Sequence, residues 1–487
     1  MEINKTTLSV YYTARLFGFA PYSIAIDKQN KLNHIQVKYS RFLSIYSVTL
    51  LIVLAALTNF GLYIDATSPI PIRLKTATAR VVTGFDVNIL VSSCLISMFT
   101  GVFGLHNTQQ MNVSLNKADE KLMGLCASIS MHTNGARRLL TTFVSIVYVY
   151  ICTMLAIDVW GYLRLAAIVW ARDAGISSYH KFHKQFHQIC QKLASFSLFS
   201  LSLSLSLSLS LSLSFSLFSS YTVAIDQNVI CFVPFYIMYI FFLTIHIKFA
   251  YSTYRIALRY LALNNCLQNS KAYQRALWRS NEPVNRPSIG LYLKRYKFVA
   301  SVNHAKPNYN AFNIRSADDV INIFADVHEL LGKAMVNVSS EFGVTILVLL
   351  ISCLLHLVVT AYFFFLEVFG DRKDTFYTTV QILWLIFHSL RLLLIIEPCH
   401  RIGAEAGRTV EIVCDLLRKK GEHYALKNFW QQLIADNTFF SACGICRIDR
   451  PLLTTLGGAI ATYLVILLQF NKSAEQQQQQ NNRTTTS

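Results

Sequence analysis

The sequence predicts an all-α polytopic membrane protein with seven transmembrane helices, its N-terminus cytosolic and its C-terminus extracellular. Three observations carry this. The 487 residues are 53% hydrophobic, with 33 Phe and 24 Tyr, and the mean hydropathy is +0.39, more apolar than a soluble globule. Seven segments are long and apolar enough to cross a bilayer, near 42–64, 81–103, 139–160, 229–251, 342–366, 379–397 and 452–470. The basic residues divide unevenly between them. Of 44 Lys and Arg, 30 fall in the N-terminus and the loops 104–138, 252–341 and 398–451, 12 fall on the other side, and Lys248 and Arg391 lie inside spans. The positive-inside rule puts the richer side in the cytosol.

Residues 1–41 are a polar, basic cytosolic N-terminus with no cleavable signal, so the first apolar run acts as an uncleaved anchor. Residues 42–262 carry the first four spans. Within them, Ser197 to Ser219 is a Leu-Ser alternation, a low-complexity tract that a CT-repeat DNA would encode. The block 177–224 reads as an outer-loop insert, a translated intron or a repeat expansion. His180, His183 and His187 in that block have helical metal-ligand spacing but sit in inserted sequence, and no metal is assigned to them. Residues 263–315 read as a disordered cytosolic linker. From Ser316 apolar residues recur at helical spacing (Ile321, Phe324, Val327, Leu331, Met335, Val338), so one long helix extends the fifth span into the cytosol. Residues 398–438 do the same for the sixth. Spans five to seven with these extensions occupy 316–470, and 471–487 is a disordered extracellular tail.

Several function classes drop out. The net charge of +18 belongs to basic loops at a membrane face rather than to a nucleic-acid site. The 11 Cys are scattered and odd in number, which implies no disulfide framework, and Cys443 and Cys446 form a lone pair without the second pair that zinc wants. No phosphate loop, metalloprotease motif or nucleophile elbow is present, so the chain reads as neither an enzyme nor a cofactor carrier.

What remains is polar chemistry inside the spans, where each such residue is costly. Asp86 lies in the second span, Asp158 and Trp160 in the third, Tyr236 and Tyr239 in the fourth. His356, Thr360 and Tyr362 lie in the fifth, and Gln381, Trp384 and His388 in the sixth. His356 and Thr360 share a face, as do Gln381, Trp384 and His388. A sugar needs this mixture: donors and acceptors for its hydroxyls and an aromatic face for its C–H surface. Each residue taken singly serves equally well as glue between helices. The ligand set drawn from these is Asp86, Trp160, Tyr236, His356, Thr360, Tyr362, Gln381 and Trp384. Arg391 and Glu397 fall toward the inner end of the sixth span, where they could pair with each other or meet lipid headgroups, and they read as structural.

The last apolar run closes on Thr462, Tyr463, Gln469 and Phe470. Thr462 and Tyr463 can hydrogen-bond neighbouring helices, and Gln469 can turn an amide into a pore or a bundle. Thr-Tyr, five apolar residues, then Gln-Phe near a C-terminus resembles the insect gustatory receptor family. Ser352-Cys353-Leu354-Leu355-His356-Leu357, Glu397-Pro398-Cys399-His400 and Phe429-Trp430-Gln431-Gln432-Leu433 resemble its fructose-sensing members. The resemblance covers most of the chain but not 177–224 or the tail. It implies a homotetramer, or a heteromer with other such receptors, with the pore lined by the seventh helix. Gln469 and Phe470 would be the gate, with Thr462 and Tyr463 coupling it to the ligand pocket. It further implies a fructose-opened channel passing monovalent cations and Ca2+ in the plasma membrane of sensory neurons, in dendrites or axons. The alternative is a seven-helix metabotropic receptor, but such receptors place the N-terminus outside. A transporter would show repeats between its halves, which this chain does not.

Overall fold

The computed structural model of the protein describes residues 8–26, 35–67, 77–125, 142, 144–158, 161, 233–277, 317–369, 375–420, 424–436 and 439–485. A short helix α1 (Leu8–Leu16) and an antiparallel hairpin, β1 (Tyr22–Ile26) with β2 (Ile35–Tyr39), precede the bundle. Then come α2 (Arg41–Thr67), α3 (Ala77–Phe103), α4 (Leu105–Leu125) and the shorter apolar α5 (Val144–Asp158). The second half holds α6 (Val233–Leu277), α7 (Ala317–Phe369), α8 (Thr375–Lys420) and α9 (Tyr424–Ala435). A two-rung hairpin, β3 (Ser441–Ala442) with β4 (Cys446–Arg447), leads into α10 (Arg450–Thr485). Among the described residues, six helices (α2, α3, α6, α7, α8 and α10) are long and apolar enough to cross a membrane, and α5 stands where the third crossing is expected.

The hairpins are the exception to the all-α expectation. Tyr22 pairs with Tyr39 and Ile26 with Ile35, and the Tyr22 ring packs against Tyr11 of α1 while its carbonyl accepts the Tyr11 hydroxyl at 2.5 Å. Two boundaries also move. α6 continues to Leu277, past the boundary set at 262, because nothing breaks it before Pro283. α10 continues to Thr485 where a disordered tail was expected: the chain after Gly458 contains no Gly or Pro, and its Ala, Glu and Gln residues favour helix. The Leu-Ser tract and the His180–His187 stretch lie outside the described residues.

Two layers result. In the apolar layer, hydroxyls satisfy themselves on their own helix: Ser47 on the Leu43 carbonyl (2.7 Å), Ser93 on Ile89 (2.6 Å), Thr244 on Ile240 (2.9 Å). Where no water is at hand this is the cheapest way to bury them. The second layer is made of helices running beyond the apolar segments. α4 packs along the first half of α7, the end of α6 along the second half of α8, and α9 against both α7 and α8. Polar pairs fix its register. The Arg259 guanidinium meets Asp119 twice (2.9 and 2.5 Å), Thr409 donates to the Asn264 side chain (2.7 Å), and the Asn264 amide donates to the Glu405 carbonyl (2.8 Å). One helix, α7, carries both the periodic stretch from 316 and the fifth apolar segment, and α8 passes through Pro398 without ending.

Between the layers sits a buried ion pair. Lys248 Nζ on α6 lies 3.1 Å from Glu341 Oε1 on α7 and donates to the Phe19 carbonyl at 3.3 Å. The second carboxylate oxygen accepts from Thr108 of α4 at 2.6 Å. Both side chains are nearly inaccessible, so the pair locks α4, α6, α7 and the segment after α1 to one another. Gly104, at the break between α3 and α4, makes room for it: a Cβ there would stand 2.8 Å from Glu341 Cγ. Removing one partner of such a pair strands a buried charge, at a cost of about 3–5 kcal/mol. Glu341→Gln is therefore expected to lower the thermal midpoint of detergent-purified protein and its surface yield sharply. The double variant Lys248→Met/Glu341→Leu should recover most of the loss. A Glu341→Gln protein melting with the parent would show that the pair does not hold the layers.

Candidate functional site

Asp86 on α3 meets a group of rings in the apolar layer. Its Oδ1 lies 2.9 Å from His356 Nε2 on α7, and its Oδ2 accepts the Tyr239 hydroxyl of α6 at 3.2 Å. Tyr239 meets the Trp384 indole of α8 edge to face at 4.7 Å between centroids. Trp384 stacks on His388 (5.5 Å, 24°), and His388 lies 4.8 Å from His356. Four helices thus contribute to one cluster holding an acid, two imidazoles, a phenol and an indole.

The hydrogen bonds orient the rings. His356 Nδ1 lies 2.6 Å from the Ser352 carbonyl one turn back on α7. The carbonyl can only accept, so Nδ1 carries a proton, and Nε2 faces the Asp86 carboxylate. His388 Nδ1 instead faces the Arg391 guanidinium at 2.8 Å and so must accept, which leaves its proton on Nε2. Arg391 is fully buried, with its guanidinium 4.0 Å from the Phe242 ring centroid and 5.6 Å from that of Phe387. A guanidinium over an aromatic face keeps part of the stabilisation it loses with water. His246 of α6 closes this end, with Nδ1 2.8 Å from the Phe242 carbonyl.

The expected residues fall into three groups. Asp86, His356 and Trp384 come together, with Tyr239 and His388 beside them. Tyr236 lies one turn from Tyr239 and donates to Asp158 Oδ2 of α5 at 2.9 Å. Thr360 is buried on the His356 face of α7 and Gln381 is buried one turn from Trp384 on α8. Tyr362 is buried but packs on Phe363. Six residues beyond His356 it lies about a third of a turn round the helix, so it leaves the shared face. Trp160 lies outside the described residues. Arg391 corrects the sequence reading. It is not interfacial and does not pair with Glu397 but forms the inner end of this cluster. The signal for it was present: it continues the Gln381, Trp384, His388 stripe by three residues.

The seventh-span residues sit apart. Thr462 donates to the Gly458 carbonyl of its own helix (3.0 Å), and Tyr463, Gln469 and Phe470 are exposed on α10. Among the described residues, Thr462 and Tyr463 make no hydrogen bond to a neighbouring helix.

The comparisons with known proteins agree with this architecture. The family model for the 7tm chemosensory receptors matches residues 170–473. The gustatory receptor for sugar taste 43a of Drosophila melanogaster is 32% identical over 97% of this chain and 100% of its own length. The chain belongs to the insect gustatory receptors. The Drosophila gustatory and pheromone receptor 32a is 32% identical over 18% of this chain and 20% of its own. The solved olfactory receptor OR5 of Machilis hrabei superposes with a TM-score of 0.54 at 12% identity, covering 96% of this chain and 98% of that one. In its complex with eugenol the TM-score is 0.57, at the same identity and coverage. This gustatory receptor is thus a multi-pass membrane chemoreceptor with the fold of the insect olfactory receptors. The site residues of the cluster can be checked singly. Tyr239→Phe keeps the ring and removes the hydroxyl that Asp86 accepts. It is expected to cost about 1.5–3 kcal/mol, as for other bonds to charged groups, visible as a lowered thermal midpoint of the purified receptor. An unchanged midpoint would mean that Asp86 is satisfied by His356 alone.

Proposed function

We propose that this receptor is a sugar-gated, non-selective cation channel, opened by fructose and placed in the plasma membrane of chemosensory or nutrient-sensing neurons. The observation that carries the reading is the cluster at Asp86, Tyr239, His356, Trp384 and His388. It sets an acceptor, ring N–H and O–H donors and an indole face side by side. Sugar hydroxyls take the first two, and a sugar C–H face takes the third. Thr360, Gln381 and Tyr236 extend it with further polar groups. The similarity to a Drosophila receptor for sugar taste supports this ligand class.

In this reading the N-terminus is cytosolic, following the basic residues, and four chains meet along α10. That assembly, as a homotetramer or a heteromer with other gustatory receptors, would cover an α10 that is apolar and unburied within one chain. Phe470 forms an apolar constriction that dewets when closed, and Gln469 offers its amide when α10 turns. Na+, K+ and Ca2+ are the permeant ions. Sugar bound between α3, α6, α7 and α8 favours the open arrangement, shifting a pre-existing equilibrium.

Whole-cell current in cells expressing the chain, with fructose, glucose and sucrose applied, tests it. A fast inward current to fructose without G-protein signalling is the expected result, and a response that requires G proteins would favour a metabotropic receptor. Trp384→Ala should raise the half-maximal fructose concentration about tenfold at equal surface amount, the value of one aromatic contact. Phe470→Ala should leave current flowing without sugar, and a Phe470→Ala receptor that stays tightly shut would remove Phe470 from the gate.

A further inference from the structure

None of the apolar stretch of α10 is buried within the chain. Its contacts with the rest of the fold are gathered at its first turns, where Leu452, Leu453, Leu456 and Ile460 pack against the core. Its first residue, Arg450, reaches Glu397 of α8 through a fork: Nη2 to Oε1 at 3.0 Å and Nε to Oε2 at 3.1 Å. Arg450 brings a positive charge to the positive end of a helix dipole, and the Glu397 carboxylate offsets it.

Glu397 occupies a particular place on α8. It follows the stripe of Gln381, Trp384, His388 and Arg391 and immediately precedes Pro398, which lies inside the helix. Proline has no N–H to give to the Leu394 carbonyl, so α8 is most easily bent where Glu397 stands. The same carboxylate accepts Arg401 Nε at 3.1 Å. Arg401 in turn donates to the Tyr254 hydroxyl at 3.1 Å, with its guanidinium 5.3 Å from that ring centroid. Tyr254 belongs to α6, the helix that carries Tyr236 and Tyr239. Two of the helices that hold the cluster therefore meet the foot of α10 at one carboxylate.

The pair is half in solvent, with Arg450 58% exposed, and exposed pairs of this kind add little to stability. Its geometry serves position instead. We propose that Glu397 is a positioning residue for gating: through Arg450 it transmits a rearrangement of α6 and α8 at the cluster to α10. This rests on the channel reading above and names the link that channel would use.

The test uses the full chain in whole cells, with surface-labelled protein counted, and fructose binding measured on detergent-purified receptor. Glu397→Gln and Arg450→Gln should each cut the maximal fructose-evoked current about tenfold, in the range of one coupled contact. Surface amount and fructose affinity should stay as in the parent. Glu397→Gln/Arg450→Gln should be no worse than either single variant, since all three remove one link. Arg450→Lys keeps the charge without the fork and should fall between. Singles that conduct like the parent, or losses that multiply in the double variant, overturn the coupling alone. Affinity falling in step with current would make the pair a structural support and overturn it equally. A parent chain that reaches the surface and binds but passes no fructose current overturns the channel reading, and the coupling with it.

Discussion

Charge and hydrogen-bonding groups inside the bundle must be answered by other groups of the bundle, and α6 is where this constraint is concentrated. Its apolar window is 89% buried, yet it carries Tyr236, Tyr239, His246, Lys248 and Arg259. Each is met by a specific partner: Asp158 of α5, Asp86 of α3, the Phe242 carbonyl, Glu341 of α7 and Asp119 of α4. An unanswered polar group in hydrocarbon costs several kcal/mol. These partners therefore select which helices surround α6 and in what register, more sharply than apolar packing does. The two most peripheral of the apolar helices are α2 and α10, with 28% and 0% of their apolar windows buried.

That asymmetry explains what the sequence could and could not say. Apolar runs announce themselves by length, and the periodicity from Ile321 to Val338 announced that the fifth span is one end of a longer helix. Asp86 stood out because a lone carboxylate at membrane depth needs a reason, and the His356–Thr360 face came from spacing alone. The partners did not show. Nothing local marks Glu341 as the mate of Lys248, because the two are brought together by a contact between helices far apart in sequence. Arg391 stands near the end of an apolar run, the usual place for a headgroup contact, and its stacking on Phe242 is visible only once α6 and α8 are packed. The first hairpin was missed for another reason. Its strands are five residues each, too short to register against the basic composition around them.

The cluster and the ion pair answer different needs with similar residues. Lys248 and Glu341 are closed off, each with its hydrogen bonds taken by Phe19 and Thr108, and such a pair holds layers in register. At Asp86 the carboxylate is 17% exposed, and its partners are a phenol and an imidazole, with an indole and a second imidazole packed beside them. Rings held edge to face keep polar edges and apolar faces adjacent, which is an arrangement suited to exchange one partner for another.

The remaining feature is the bareness of α10. Tyr463, Val465 and Phe470 point away from the chain's own core. Gly457, Gly458, Ala459 and Ala461 give one stretch of the helix a slender profile that permits close approach of another helix. A helix that is apolar from Leu452 to Phe470 but packed only at its foot can move as a rigid rod about that foot. Within the chain, the Arg450 fork and the first apolar turns are its contacts with the helices that carry the cluster. Whatever covers the rest of α10 sets how far it can travel, but the direction in which the chain can push it is fixed by where Glu397 stands on α8, next to the one residue of that helix that cannot complete its hydrogen-bond ladder.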